Sequence, residues 1–132
     1  YPERMKNTIY LEVLSDEGMR ARQEIIQSGA KQVFVYFQKF NPIPFYYMGR
    51  GESRTRNLTV NNVYDFPVQI DAMLDGNLTS FVSLSDESFE LLPGKNKTID
   101  ITIAVPQGAQ VGNYTSVLAL DVRRIIGSIK ND

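Results

Sequence analysis

Four side-chain amides of this chain stand in the Asn-x-Thr triplet that N-glycosylation requires: Asn57, Asn77, Asn96 and Asn113. An N-linked glycan is bulky and strongly hydrated, so its acceptor must lie on exposed backbone of a chain that has crossed a membrane. One triplet alone carries little information, and coincidence in a Thr- and Asn-rich strand protein is the alternative. Four triplets together predict a glycoprotein located at the cell surface or outside the cell.

The residue types that most enzymes and metal sites use are missing. The chain has no His and no Cys, which excludes histidine-based triads, thiol nucleophiles and the usual zinc and copper sites. Asp86, Glu87 and Glu90 form an acidic cluster that could act as a glycosidase-type pair or bind Ca²⁺. The cluster lies beside serines and lacks an Asp-x-Asp-x-Asp-Gly loop, so a solvated loop explains it better. We predict no catalytic residue, no metal and no cofactor.

The composition is that of one folded domain. With 132 residues, 42% hydrophobic and 22% charged, the chain can bury a sizeable core without metals or disulfides. Its net charge of −1 gives no indication of a nucleic-acid partner. The longest compact apolar run is 33–37, far short of the ~18 residues of a membrane span. Since Tyr1 is neither an initiator Met nor part of a signal segment, we expect a processed or trimmed chain with any anchor outside it.

Charge is distributed unevenly along the chain. Residues 1–56 and 123–132 are net positive, whereas residues 57–122 are net negative. Such an asymmetry suits head-to-tail contact between copies, and a solvated surface pattern is the alternative.

Alternation of apolar and polar residues with a period of two dominates the sequence and predicts β-strands. It is clearest at 98–105, where Ile99, Ile101, Ile103 and Val105 share one face. Further strands are predicted at 8–14, 31–40, 54–60, 66–74, 81–84, 89–91 and 114–122. Gly- and Pro-containing turns separate these runs, which favours an all-β sandwich of about seven or eight antiparallel strands.

Residues 15–27 allow two interpretations. Met19, Arg22 and Ile26 fall at helical spacing among good helix formers. Alternatively, Ser15–Gly18 forms the turn of a hairpin, with Gly18 at positive φ. Because strands dominate elsewhere, the hairpin is slightly favoured.

Residues 51–122 resemble the immunoglobulin-like surface modules common in archaea. The resemblance rests on Val60-Asn61-Asn62, the Leu92-Pro93-Gly94 corner, the alternating strand closed by Val105-Pro106, and Gly112-Asn113-Tyr114. It implies an immunoglobulin-like sandwich. It says little about function, because such modules occur in surface-layer, adhesive, filament and envelope-enzyme proteins.

The chain departs from this pattern at both ends. Only a weak candidate strand, interrupted by Gly127, follows residue 122, whereas about fifty residues precede the module. A sandwich that lacks an edge strand can accept one from a neighbour. We therefore divide the chain into an N-terminal extension and candidate donor strand, 1–14, and a sandwich domain, 15–132. Ile9, Leu11 and Val13 are the expected buried contacts between subunits; pairing of this strand within its own sheet is the alternative.

An aromatic, proline-rich stretch at 41–48 is predicted to be a loop. Phe45 and Tyr47 are expected to pack over an open end of the sandwich, with Tyr46 and Met48 facing outward or towards a neighbour. Sugar stacking is the alternative, although the chain has no Trp. We count Phe45, Tyr46 and Tyr47 with the subunit interface. The arginines at positions 50, 54 and 56 are expected to form a basic strand face or to pair with acidic residues of another copy.

These observations lead to one preferred function and two alternatives. The preferred one is a noncatalytic structural glycoprotein of the cell surface, the subunit of an extracellular filament that binds copies of itself by strand complementation. The first alternative is a surface-layer-associated or motility-apparatus domain whose anchor is missing, with a surface-layer protein as partner. The second is a carbohydrate-binding module of a larger envelope enzyme.

Overall fold

The computed structural model describes residues 3–27 and 42–126, which form eight strands and one helix. In chain order these are β1 (Glu3–Leu14), α1 (Asp16–Gln27), β2 (Pro42–Gly49), β3 (Ser53–Asn61), β4 (Val68–Gly76), β5 (Val82–Leu84), β6 (Ser88–Leu91), β7 (Asn96–Ala104) and β8 (Gly112–Arg124). The all-β class is confirmed. The strand predicted at 31–40 lies outside the described residues.

The strands form two sheets in a sandwich arrangement. One sheet has five strands in the order β2-β1-β8-β4-β6, and the other has three in the order β3-β7-β5. All pairs are antiparallel except β1–β2, which is parallel. The expectation of purely antiparallel strands is therefore wrong at this pair. Residues 15–41 separate β1 from β2, and a connection of that length lets the second strand run in the same direction as the first.

The core lies between the two sheets and follows the period-two pattern. In β7, Ile99, Ile101 and Ile103 are completely buried, as the alternation predicts. They pack against inward-facing residues of the five-stranded sheet, including Leu118 and Leu120 of β8. Burial of aliphatic side chains of this size contributes roughly 1.5–3 kcal/mol each.

Residues 16–27 form a helix, so the hairpin favoured from sequence is wrong. The Ser15 hydroxyl accepts a hydrogen bond from the Gly18 amide at 3.1 Å, and the Ser15 carbonyl accepts one from Met19 at 2.9 Å. Ser15 is thus an N-cap, and Asp16 and Glu17 complement the positive helix N-terminus. Serine and acidic residues are common both in turns and at N-caps, which explains the error. No helix of the described ranges is long and apolar enough to span a membrane.

Asn62 joins three parts of the chain at one end of the sandwich. Its buried side-chain amide donates to the carbonyls of Phe66 and Leu91, and its side-chain oxygen accepts from the Tyr64 amide. Its main chain bonds Gly94 and Lys95. The Val-Asn-Asn segment and the Pro-Gly corner, which are far apart in sequence, therefore meet through one buried polar residue whose hydrogen bonds are satisfied.

Candidate assembly surfaces and glycosylation sites

Strand β1 lies inside the five-stranded sheet, between β8 and β2. It pairs with β8 from Glu3↔Val122 to Val13↔Gly112 and with β2 from Thr8↔Pro42 to Leu14↔Gly49. Over residues 8–13, both main-chain edges of β1 are therefore paired. In the single chain this strand completes its own sheet, which is the arrangement named above as the alternative to donation.

The three residues expected to be buried contacts of β1 are indeed buried. Ile9 and Val13 have no exposed surface and Leu11 has 1%. They belong to the core cluster that also contains Ile101 and Ile103 of the facing sheet. These three side chains therefore fill the space between the two sheets at the position of β1, which lies between β8 and β2.

An exposed ion pair holds β1 to β8 at the other end of the strand. The Arg4 guanidinium donates two hydrogen bonds to the Asp121 carboxylate, at 2.6 and 3.0 Å. These bonds lower the pKa of Asp121 below its usual value and raise the pKa of Arg4. Arg4 is exposed and Asp121 is partly exposed, so solvent weakens the pair, and it orients β1 more than it stabilises the fold.

A second polar cluster continues across the same face of the sheet. Asp71 of β4 accepts hydrogen bonds from Ser88 of β6 at 2.7 Å, from Arg123 of β8 at 3.0 Å and from Gln69 at 3.2 Å. Hydrogen bonding, from Ser88 first, lowers the pKa of the Asp71 carboxyl. Asp71 stands directly opposite Asp121 in the β4–β8 pair, so the two polar clusters are neighbours.

Residues 42–49 form strand β2, which comes first in the order of the described strands of its sheet, so the loop predicted for 41–48 is wrong. Alternation fails here because the strand has a bulge: Tyr10 pairs with Pro44 and Leu11 with Tyr46, which leaves Phe45 as an extra residue. Tyr46 adopts φ of 61°, the left-handed region that few tyrosines occupy.

The bulge determines which aromatic residues of β2 are buried. Phe45 is completely buried, as expected, and Tyr46 is 38% exposed. Met48 was expected to face outward but is also completely buried, because the extra residue shifts the alternation by one position. Tyr47 is partly buried. Of the three aromatic residues assigned to a subunit interface, Phe45 belongs to the core and Tyr46 presents the most surface to a partner.

The arginines that follow β2 bind main-chain carbonyls of this same chain. Arg54 donates to the carbonyls of Phe45 at 2.6 Å and Tyr47 at 3.0 Å, and Arg56 donates to that of Pro44 at 3.1 Å. Arg50 donates to the carbonyl of Ala109 at 2.9 Å.

Sequence reasoning missed these contacts of Arg54 and Arg56, because the sequence indicates only which face of β3 the two residues occupy. Arg54 and Arg56 lie on one face of β3, and that face is the inward one, which they share with Leu58 and Val60.

Two of the four candidate glycosylation sites share the outer face of the three-stranded sheet. Asn57 of β3 and Asn96 of β7 are both exposed, as are their threonines, Thr59 and Thr98. The two threonine hydroxyls lie 3.0 Å apart in a cross-strand hydrogen bond. The face around them is formed mainly by Thr, Asn and Ser side chains, with one Asp and Ala104, so a glycan here would extend from a largely polar surface.

The other two sites, Asn77 and Asn113, lie at the end of the sandwich opposite to Asn96. Asn77 follows Gly76, which ends β4 at φ of 126°, where an added Cβ would lie only 2.6 Å from the Thr115 carbonyl oxygen. The Asn77 side-chain oxygen accepts a hydrogen bond from the Thr115 amide at 2.8 Å. A glycan is attached to the side-chain nitrogen, so this bond is compatible with modification. Asn113, at the start of β8, is also exposed.

The acidic cluster is dispersed over short strands and a turn. Asp86 lies 3.6 Å from the Lys97 ammonium and accepts a hydrogen bond from Ser85 at 3.1 Å, while Glu87 and Glu90 are exposed. Within residues 3–27 and 42–126, no three His, Cys, Asp or Glu side chains are grouped closely enough to bind a metal ion.

Comparison with known proteins adds no relative to these observations: no protein-family model, no curated protein sequence and no solved structure matches this chain.

Proposed function

We propose that this chain is a noncatalytic structural glycoprotein of the cell surface, and that it forms extracellular filaments by strand complementation. In the filament, β1 of one subunit occupies the groove between β8 and β2 of the next. The observation that carries the proposal is the position of β1, a regular strand whose residues Ile9, Leu11 and Val13 are buried in the core.

Two features support exchange of this strand over other modes of assembly. Residues 15–41 separate β1 from β2 in the sequence, so no tight turn joins the two strands. β1 would form the same main-chain hydrogen bonds with β8 and β2 of either chain. Exchange would therefore lose no main-chain hydrogen bonds. The four exposed Asn-x-Thr triplets support the surface location, because hydrated glycans at these positions would keep filaments apart laterally.

A pair of introduced cysteines distinguishes exchange from self-pairing, because the natural chain has none. Thr8 and Val117 stand opposite each other in the β1–β8 pair, so Thr8→Cys with Val117→Cys places two thiols across it. Assembled protein is oxidised, dissolved in denaturant and separated without reductant. Exchange predicts a ladder of covalently linked chains, whereas self-pairing predicts single chains with an internal disulfide, an outcome that would reject the proposed assembly.

The matched control places the cysteines across β3 and β7. Thr55 and Thr102 are cross-strand partners with hydroxyls 2.8 Å apart, and neither strand takes part in the exchange. Thr55→Cys with Thr102→Cys should give single chains under all conditions.

Protein from the native source provides the second test. Electron microscopy should show filaments with a regular repeat, and mass spectrometry of peptides should find glycans on Asn57, Asn77, Asn96 and Asn113. Discrete particles would favour an anchored envelope domain instead, and four unmodified asparagines would contradict the glycoprotein assignment.

A further inference from the structure

Two of the four acceptor triplets are locked into paired strands, although their Asn side chains are exposed. The triplet 57–59 lies in β3 and the triplet 96–98 lies in β7, and the two strands pair residue by residue over both triplets. The hydroxyls of Thr59 and Thr98 also bond each other at 3.0 Å. Acceptor triplets are typical of surface loops, so these two are in an unusual setting for modification.

The other two triplets are held by contacts with neighbouring elements. The turn that contains Asn77 is fixed to β8, because the Leu78 amide donates a hydrogen bond to the buried Ser116 hydroxyl at 2.8 Å. The triplet 113–115 pairs with residues 10–12 of β1. Each of the four triplets is therefore part of the hydrogen-bonded framework of the fold.

The middle residue of each triplet is turned away from the exposed Asn and Thr side chains. Leu78 has no exposed surface, and Leu58 packs against both core clusters. Tyr114 packs against one of these clusters, and Lys97 is partly buried. An enzyme that enclosed a whole triplet would have to withdraw this residue from the fold.

Glycan transfer requires more of a triplet than an exposed nitrogen. The Asn side-chain nitrogen attacks the anomeric carbon of a lipid-phosphate-linked oligosaccharide and forms a C–N bond. The C–O bond to the phosphate breaks, the nitrogen gives one proton to a base, and the lipid phosphate leaves. Because the nitrogen lone pair is delocalised into the carbonyl, the transferase must hold the amide and the threonine hydroxyl together. The hydroxyls of Thr59, Thr79 and Thr98 are already hydrogen-bonded in the folded chain.

We infer that glycosylation of this chain precedes its folding. Asn57 and Asn96 must be modified before β3 pairs with β7. Asn77 must be modified before its turn binds β8, and Asn113 before β1 pairs with β8. The finished fold accommodates the glycans, since these four side chains are exposed, but it is a poor acceptor. The inference rests on the proposed function, because it requires that the triplets be acceptors.

The test compares two substitutions at adjacent residues of β7 in the full chain, made without glycans. Ile101→Asp places a charge in the core and should unfold the chain, whereas Thr102→Asp adds the same charge to the outer face and should leave it folded. The dispersion of amide NMR signals verifies both states, with the wild type as the folded reference. If Ile101→Asp still folds, Leu118→Asp is added. An acceptor triplet on a Gly/Ser linker after Asp132 gives every chain one flexible site as an internal standard.

Each chain is incubated with an oligosaccharyltransferase and a lipid-phosphate-linked oligosaccharide, and mass spectrometry of peptides gives the rate at each Asn relative to the appended triplet. Each natural site should react at least tenfold more slowly in the wild type and Thr102→Asp than in Ile101→Asp. Equal rates in folded and unfolded chains would overturn the inference and leave the glycoprotein proposal standing. Reaction at the appended triplet alone, in the unfolded chain as well, would overturn both.

Discussion

Strands β1 and β2 are neighbours in one sheet, yet they differ in almost every respect that governs association. β1 has no bulge, is paired on both edges over residues 8–13, and buries Ile9, Leu11 and Val13 almost completely. β2 has two prolines, a bulge opposite β1, and carbonyls that accept hydrogen bonds from Arg54 and Arg56. The comparison shows that a single sheet can contain a regular strand, whose burial follows the alternation of its residues, beside a bulged strand, whose burial does not.

The largest expected effect comes from removing a buried side chain of β1. Leu11→Ala should lower the free energy of unfolding by about 2–5 kcal/mol, because it leaves a cavity in the core. Met5→Ala is the matched control in the same strand; Met5 is 39% exposed, and its loss should cost less than about 1 kcal/mol. Urea denaturation measures the effect of both substitutions in the monomer whose introduced cysteines, Thr8→Cys and Val117→Cys, form an internal disulfide. Equal effects would show that β1 contributes to the core less than its burial implies.

The extent to which sequence predicted this comparison differs between the two strands. The alternation of Ile9, Leu11 and Val13 found β1 and its buried face, because a regular strand repeats every two residues. In β2 the prolines indicated a loop and the bulge reversed the alternation, so Met48 was assigned to the wrong face. A bulge requires only one extra residue. Glycine at the left-handed position would have indicated it, but here that position is Tyr46.

The same limit applies to the candidate sites. The Asn-x-Thr triplets were visible directly, and their exposure followed from outward positions of the strands and from turns. The contacts of Arg54 and Arg56 with β2 could not be predicted, because they depend on two sheets placing their edge strands side by side. Local sequence determines which face of β3 an arginine occupies; the carbonyl it meets is determined by tertiary structure.

An intermediate effect should distinguish two adjacent tyrosines of β2. The left-handed conformation of Tyr46 is strained, whereas glycine adopts it without strain. Tyr46→Gly should therefore leave the free energy of unfolding nearly unchanged. Tyr47→Gly has no such compensation and loses a partly buried ring. We expect Tyr47→Gly to be less stable by at least about 1 kcal/mol, measured by thermal unfolding of both variants. If Tyr46→Gly were the less stable variant, the contacts of the Tyr46 ring would stabilise the fold by more than the backbone strain destabilises it.

The smallest effect concerns pH and the attachment of β1 to β8. The folded state lowers the pKa of Asp121, so the stabilisation by Arg4 is present above the unfolded-state pKa of about 3.9 and is lost as the pH falls through the lower folded-state value. The melting temperature of the wild type should therefore fall more steeply with decreasing pH below about 4 than that of Asp121→Asn. Asp71→Asn tests the neighbouring cluster in the same way, since the pKa of Asp71 is also lowered. If the melting temperatures of the wild type and both variants fell equally steeply with decreasing pH, neither carboxylate would contribute to stability.

The pairing of β1 with β8 also has a consequence for how the chain folds during synthesis. Glu3 pairs with Val122, so β1 cannot form its antiparallel pair until β8, the last described strand, has been synthesised. Contacts between residues this far apart in sequence form slowly, and partly folded chains expose strands in the meantime. During that interval a β8 strand from another molecule can compete for β1. The local concentration of newly made chains, as well as the stability of the finished fold, would then determine which partner β1 acquires.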